Sequence, residues 1–346
     1  MSDPAFEQLR PFLEQPQGQT LWVADENLLA ARIKPSPLIT AITNRCDLAE
    51  NLKRQSWSAL YSDYDLSDYP DATFDRVIYR ISKEKPVVHH LINQAFRVLK
   101  PGGQLLLAGA KTEGIKTYFS KARALFGDGD CSKTTGDIWF AQLTKISTDN
   151  TPLLDDQNYT RIRVVAADEQ FEYFSKPGVF GWDKIDKGSA YLIEHLDQFL
   201  MTLIEPPRNA LDLGCGYGYL TLNLSHLEIP VTATDNNAAA IKACEYNFNH
   251  YPIDAQAVAD NCAGQIAKKF DLIVCNPPFH AGFSVDGDLT DRFLKAAHDH
   301  LEHRGIACFV TNLHIPLERK AARWFKQAEV IAANGHFKLI RLSHGN

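Results

Sequence analysis

Three glycines alternate in Asp212-Leu213-Gly214-Cys215-Gly216-Tyr217-Gly218, directly after the apolar run Ala210 to Leu213 and directly before Tyr219 to His226, which begins a helix. A strand that passes into a helix through such glycines turns tightly, and it lets a ligand approach main-chain atoms that a Cβ would block. The spacing is Gly-x-Gly-x-Gly. It is not the Gly-x-Gly-x-x-Gly of dinucleotide binders, and no Lys-Ser/Thr follows to cradle a phosphate. A nucleotide-type ligand without a pyrophosphate fits best. Asp235, twenty-three residues after Asp212, ends the next strand, where a carboxylate can accept both hydroxyls of a ribose. Asn236 follows it, and Asp260-Asn261 closes the third strand within reach of an adenine edge.

Around this loop the C-terminal half reads as strand-helix repeats. Strands are expected at Val231 to Thr234, Gln256 to Ala259, Phe270 to Cys275 and Gly305 to Thr311, with helices at Ala190 to Leu203, Ala238 to Phe248 and Asp291 to Glu302. Units of this length imply a parallel sheet covered on both faces. Val330 to Ala333 and Phe337 to Leu342, around Asn334-Gly335, read as a hairpin closing it. The first half echoes the plan. Phe74 to Tyr79, a helix over Val87 to Leu99, Lys100-Pro101-Gly102-Gly103 and the strand Gln104 to Ala108 parallel Phe270 to Cys275, the helix after Asp291 and Arg304-Gly305 with its strand. Where the glycine loop should be, the first half has Leu21-Trp22-Val23-Ala24-Asp25-Glu26-Asn27. An internal duplication is expected, with the first copy keeping the frame and not the chemistry. At 346 residues two domains are expected, 1-155 and 165-346, joined near the polar stretch Ser147 to Tyr159.

Hydrophobic residues at 45% and charged residues at 23% are ordinary for a globular protein, and no apolar run could span a bilayer. The start, Met1-Ser2-Asp3-Pro4, has neither a basic nor an apolar targeting region, so a cytoplasmic protein with no membrane association is expected. Seven scattered cysteines without a Cys-x-x-Cys pair read as reduced core residues. His298, His300 and His303 do not share a helix face, so no metal site is expected. A net charge of -6 argues against indiscriminate coating of nucleic acid. Lys111, Lys116, Lys121 and Arg123, and again Arg319, Lys320, Arg323 and Lys326, could meet phosphates or form solvated faces.

About sixty residues after the glycine loop, Asn276-Pro277-Pro278-Phe279 follows the strand Phe270 to Cys275. An exocyclic amine on a heteroaromatic ring is a poor nucleophile, because its lone pair is delocalised into the ring. If the Asn276 side-chain oxygen and the Pro277 carbonyl each accept one N–H, the amine is pushed toward tetrahedral geometry and its lone pair is localised. Pro277 and Pro278 fix φ and hold those acceptors in place. Phe279 offers a face for stacking a flat ring, at about 1 to 3 kcal/mol per base. Neither a metal nor a strongly shifted base is required.

At this point the chain resembles the class I S-adenosylmethionine-dependent methyltransferases. That resemblance assigns Gly214, Gly216 and Gly218 to the methionine side of S-adenosyl-L-methionine, Asp235 to its ribose, Asp260 or Asn261 to its adenine, and places Asp212 beneath the loop to steer its ammonium. Pro177-Gly178-Val179-Phe180, Asp186-Lys187-Gly188-Ser189 opening a helix, Asn-Pro-Pro-Phe-His-x-Gly from Asn276 and Asn334-Gly335-His336-Phe337-Lys338 further resemble the ribosomal RNA small subunit methyltransferase C family. The resemblance implies two tandem Rossmann-like α/β domains. The first is a degenerate methyltransferase-like domain that supports folding and RNA binding, and the second is catalytic. It also implies that Phe180, Asp186 and His280 border the cofactor or the target base, and that the substrate is a guanine N2 of small-subunit ribosomal RNA, free or in the assembled subunit. A monomer without an obligatory protein partner is expected. A large-subunit guanine-N2, DNA adenine-N6 or protein glutamine-N5 methyltransferase, or a ribosome-assembly binding factor, stays open from these residues.

Overall fold

The computed structural model describes residues 3–25, 33–146, 152–278, 280–281, 284–285 and 287–345. The chain divides into two compact units, Met1–Arg161 and Ile162–Asn346. The first contains β1 (Thr20–Val23), β2 (Ile39–Thr43), β3 (Ser58–Tyr61), β4 (Phe74–Arg80), β5 (Leu99–Ala110), β6 (Gly127–Lys133) and β7 (Ile138–Lys145). They form one sheet in the order β3-β2-β1-β4-β5-β7-β6. Its helices are α1 (Pro4–Glu14), α2 (Cys46–Arg54), α3 (Lys85–Val98) and α4 (Ile115–Phe126). The first five strands are parallel and the β6-β7 hairpin adds antiparallel strands.

The second unit opens with the hairpin β8 (Arg163–Ala167) and β9 (Glu172–Ser175), then builds β10 (Ala210–Leu213), β11 (Val231–Asp235), β12 (Ala255–Ala259) and β13 (Phe270–Cys275). The two-residue strands β14 (His280–Ala281) and β15 (Ser284–Val285) precede β16 (Leu301–Asn312), β17 (Gln327–Ala333) and β18 (Phe337–Ser343). The main sheet runs β12-β11-β10-β13-β16-β18-β17, the same order as in the first unit. Its helices are α5 (Lys187–Glu194), α6 (Leu196–Leu200), α7 (Tyr219–Leu224), α8 (Ala238–His250), α9 (Gly287–His300) and α10 (Leu317–Ala321).

Strand alternation sends successive side chains to opposite faces. In β10, Ala210 joins one apolar cluster with Val274 and Val310, while Leu211 and Leu213 join another with Ile273 and Phe309. The first unit has the same two-sided core, with Leu21 and Val23 on one face and Trp22 and Ala24 on the other.

The duplication extends to irregularities. The pairing of β4 with β5 slips between Phe74 and Arg76, and that of β13 with β16 slips between Phe270 and Leu272. A Cβ on Gly103 would lie 3.2 Å from the Asp75 carbonyl, and one on Gly305 would lie 2.7 Å from the Asp271 carbonyl. Each aspartate also accepts from the backbone just before the central strand, Gln19 N–H at 2.8 Å and Arg208 N–H at 2.9 Å. Both copies therefore pin the central strand pair in one way.

The described part of Ser147 to Tyr159, just before the division at Arg161, is fastened to the first unit. Asn93 brackets the Leu154 backbone, His89 meets the Asp155 carbonyl, and the Tyr159 hydroxyl donates to Asp63 at 2.7 Å. Two sequence expectations on helices need correction. The helix expected over Ala190 to Leu203 breaks at His195, where φ is -110° and the ring Nδ1 meets the Tyr191 carbonyl. The helix expected from Asp291 to Glu302 starts at Gly287 and yields to β16 at Leu301. All seven cysteines are free, and Cys46, Cys215, Cys244, Cys275 and Cys308 are buried. No described helix is long and apolar enough to cross a membrane.

Candidate active site

The expected site residues gather at the carboxyl ends of β10, β11, β12 and β13, where open α/β sheets bind ligands. After β10 the chain turns at Gly214, Gly216 and Gly218, with φ of +84°, +56° and +91°. These are values that L side chains avoid. The glycines do different work. A Cβ on Gly218 would press at 3.0 Å on both Cys244 and Phe248 of α8, and one on Gly214 would meet Phe293 at 3.1 Å. A Cβ on Gly216 would have only Val179 near it, at 4.0 Å. Gly218 and Gly214 thus permit close packing, and Gly216 keeps main chain open to a ligand.

Asp212 lies fully buried under this loop. Its Oδ2 accepts from the Thr221 N–H at 3.1 Å and the Thr221 hydroxyl at 2.8 Å, while its Oδ1 has no partner among the described residues. Burial lifts this carboxyl to about 7, against the pull of Thr221, and the nearby charge of Asp235 adds to the rise. An orphaned carboxylate oxygen in an apolar shell costs about 1 to 3 kcal/mol or more. A cationic ligand group would relieve that cost.

Asp235 ends β11. Its Oδ2 accepts from the Gly216 N–H at 3.1 Å and its Oδ1 from the Asn237 N–H at 2.9 Å. These two bonds fix the orientation of the carboxylate at the end of the strand. Asn236 is half-exposed beside it. Asp260 is buried and its Oδ2 accepts from the Gln265 N–H at 2.8 Å, which closes its own turn. Of the pair proposed for the adenine edge, Asn261 is the half-exposed one.

Asn276 follows β13, with Pro277 buried and Pro278 half-buried after it. Its amide nitrogen donates to Asp186 Oδ1 at 2.7 Å and to the Ser189 hydroxyl at 2.9 Å. A carboxylate only accepts, so the Asn276 NH2 must face Asp186 and its Oδ1 must point the other way. Asp186 is itself held as the N-cap of α5, its Oδ1 accepting from the Ser189 N–H at 2.9 Å. Asp186 Oδ1 thus orients the Asn276 amide. Sequence reading missed Ser189 in this role, because 87 residues separate it from Asn276. The only available signal was its place three residues after an N-capping aspartate.

The segment between β9 and α5 is tied to the glycine loop. Asn237 Nδ2 donates to the Gly178 carbonyl at 2.9 Å and the Tyr217 hydroxyl to the Lys184 carbonyl at 3.1 Å. Val179 is buried by this, and Phe180 beside it is 82% exposed. Phe279 and the His280 side chain lie outside the described residues. Lys320 and Arg323 both pair with Asp291, at 3.2 and 2.8 Å, so half of the second basic set is engaged within the protein. Lys116 lies over the Trp139 ring. No group of His, Cys, Asp and Glu able to hold a metal occurs among the described residues.

A methyltransferase small domain matches residues 170–341, and a methyltransferase small domain N-terminal matches residues 17–128. Ribosomal RNA small subunit methyltransferase C from Shewanella pealeana is 27% identical over 339 residues, covering 92% of this chain and 94% of its own. The Aeromonas hydrophila protein of that name is 28% identical over 283 residues, covering 81% of this chain and 80% of its own. Among solved structures, the T. thermophilus 16S rRNA N2 G1207 methyltransferase, in complex with AdoMet and guanosine, is 25% identical and superposes with a TM-score of 0.84 over 99% of this chain and 92% of that one. The chain belongs to the ribosomal RNA small subunit methyltransferase C family. Because the similarity runs through both units, the tandem arrangement of two class I methyltransferase folds is that of the ribosomal RNA small subunit methyltransferase C family, and the degenerate first copy is part of it.

Proposed function

We infer that this chain transfers a methyl group from S-adenosylmethionine to the exocyclic N2 of a guanine in small-subunit ribosomal RNA. The observation that carries this is the locked amide of Asn276. With its NH2 committed to Asp186 and Ser189, its Oδ1 can only accept, and an acceptor is what an amino group on a purine needs. The adjoining Pro277 carbonyl supplies the second acceptor. The two bonds would draw the N2 lone pair out of conjugation with the ring. Two prolines and a doubly anchored amide keep the acceptors from reorganising, which is how fixed dipoles lower a barrier.

The residues present fit the cofactor. Asp212 offers a buried oxygen that has no partner among the described residues to an ammonium, Gly216 leaves main chain uncovered, and Asp235 is held against the loop by the Gly216 N–H. Bound there, S-adenosylmethionine supplies an electrophilic methyl group. Asp212 and the three glycines would hold its methionine end, Asp235 and Asn236 its ribose, and Asn261 its adenine, with Asp260 shaping that turn from within. Phe279 would stack the target base, and the exposed ring of Phe180 would stand at the rim.

The first unit, residues 1–161, lacks a glycine loop at the end of β1 and serves as support for folding and for holding RNA. The enzyme acts as a monomer in the cytoplasm. Labelled methyl transfer to unmodified small and large subunits and to their naked RNAs, followed by nucleoside analysis, tests the reading. N2-methylguanosine in a small-subunit sample is expected. Label only in large-subunit RNA, DNA or protein would overturn it.

A further inference from the structure

Beside the acceptor site lies an open groove of about 580 Å3 lined by Lys187, Asn312, Leu313, His314, His336 and Phe337. It draws on three elements that end at the same rim of the sheet. Asn312 ends β16, Phe337 starts the antiparallel β18, and Lys187 starts α5. The sheet order β13-β16-β18 sets the groove next to the strand that delivers Asn276. Lys187 follows directly on Asp186, whose carboxylate holds the Asn276 amide.

The groove is built rather than incidental. Asn334 Oδ1 accepts from the His336 N–H at 2.8 Å and the Phe337 N–H at 2.7 Å, and the Asn334 N–H donates to the Phe337 carbonyl at 2.9 Å. The Leu313 N–H then donates to the His336 carbonyl at 2.8 Å, fastening the end of β16 to the hairpin tip. This is the structural use of the Asn-Gly-His-Phe-Lys motif, which the acceptor and cofactor sites do not employ. In a chain of net charge -6, the groove has an ammonium, two imidazoles, an amide, an aliphatic side chain and an aromatic ring, and no carboxylate among the described residues that line it. Lys187, Leu313, His314 and His336 are exposed. A cavity of this size takes a small ligand of nucleotide dimensions.

We propose that this groove holds a nucleotide of the RNA strand adjoining the target guanosine, with Lys187 on its phosphate and its base against Phe337 and Leu313. The proposal rests on the RNA methyltransferase reading above and adds to it a second subsite. A base drawn out of its stack leaves its neighbours without a partner, and a ready platform beside the pocket offsets part of that loss. The ammonium supplies a phosphate contact without reading sequence, whereas the ring accepts any base.

The test uses the full chain with small-subunit RNA and the single variants Lys187→Ala, His314→Ala and His336→Ala, all at exposed positions. Wild-type methyl transfer to this RNA is measured first, and its absence would sink the functional reading itself. Given that activity, each variant should bind RNA about 3- to 10-fold more weakly while S-adenosylmethionine affinity is kept, and Lys187→Ala should reduce the slope of log affinity against log salt by about one. Photocrosslinking from 4-thiouridine placed beside the target guanosine should label the peptide containing His336 and Phe337. RNA affinities within twofold of wild type for all three variants, or crosslinks confined to other surfaces, would overturn the subsite. So would an equal loss of affinity for free guanosine, which would make the groove part of the target-base pocket.

Discussion

The two units use one frame to opposite ends, and the contrast is sharpest where β4 and β13 finish. In the first unit α1 is N-capped by Asp3, and in the second α5 is N-capped by Asp186. In each, that capping aspartate meets the residue at the carboxyl end of the equivalent strand. Asp186 receives the amide of Asn276 at 2.7 Å, and Asp3 receives the guanidinium of Arg80 at 3.1 Å. Arg80 also donates to Glu113 at 2.7 Å and to the Ile81 carbonyl. Burial works against the guanidinium, but its bonds to Asp3 and Glu113 outweigh it and hold it firmly charged. The same cap contact thus orients the Asn276 amide in one copy and an ion-paired guanidinium in the other. A duplicated fold keeps its scaffold through registers, glycines and caps, and loses its chemistry through a few side chains at strand ends.

Removing the amide should break the comparison most completely. Asn276→Ala is expected to cut kcat about 100- to 1,000-fold, the scale for losing one preorganised polar group at the reacting centre, with cofactor affinity nearly unchanged. Retained turnover, read by labelled methyl transfer beside calorimetric cofactor binding, would refute the role given to Asn276. The reciprocal change, Arg80→Ala, strands Asp3 and Glu113 in a largely buried setting and is expected to cost about 3 kcal/mol of stability. Chemical denaturation should register that loss, while methyl transfer by the folded protein should persist.

Asp212→Asn comes next, with cofactor affinity expected to fall about 10- to 100-fold, or about 1.4 to 2.7 kcal/mol. Wild-type affinity should rise as pH passes upward through about 7, where this carboxyl ionises, and the variant should be flat there. Stability without cofactor should run the other way. The folded value of about 7 lies above the usual 3.8, so the folded chain holds a proton that the unfolded chain releases. The contribution is complete below about 3.8 and is lost as pH rises through about 7. A melting temperature with the same pH profile in the variant as in wild type would refute this account of Asp212.

The smallest effects should come from the residues that hold Asn276. Asp186→Asn should lower kcat about 10-fold, because an amide no longer dictates which end of Asn276 faces outward, and Ser189→Ala should lower it about 3-fold, the scale of one neutral hydrogen bond. In both variants the KM for the cofactor should hold steady. A loss confined to that KM would assign them to the cofactor instead.

Most of the frame was legible from the sequence because parallel strands buried on both faces carry continuous apolar runs. Phe270–Cys275 and Ala210–Leu213 fall where those runs lie. Boundaries shifted where side chains captured backbone groups that periodicity does not register, as when His195 stops a helix through the Tyr191 carbonyl. Within the candidate site, the placement of Asp212, Asp235 and Asn276 at strand ends was readable because each stands where an apolar run closes. The partition among the three glycines was not readable, since it depends on Phe293, Cys244 and Phe248, which arrive from distant helices. The bond from the Gln265 N–H to the Asp260 carboxylate was not readable either, because position alone does not show which backbone group a turn aspartate accepts from.

The distribution of free thiols offers a way to follow the two copies separately. Cys46 is buried in the first unit, and Cys215, Cys244, Cys275 and Cys308 are buried in the second, where burial and, for Cys215, its contact with Cys244 suppress thiolate formation. An alkylating reagent can therefore modify these five cysteines only when their unit opens, whereas the half-buried Cys131 and Cys262 are open to it in the folded chain. Peptide mapping after timed labelling then becomes a natural clock for local opening, one dial per domain, with the Cys215 and Cys244 pair reporting on whether a ligand has clamped the loop above it.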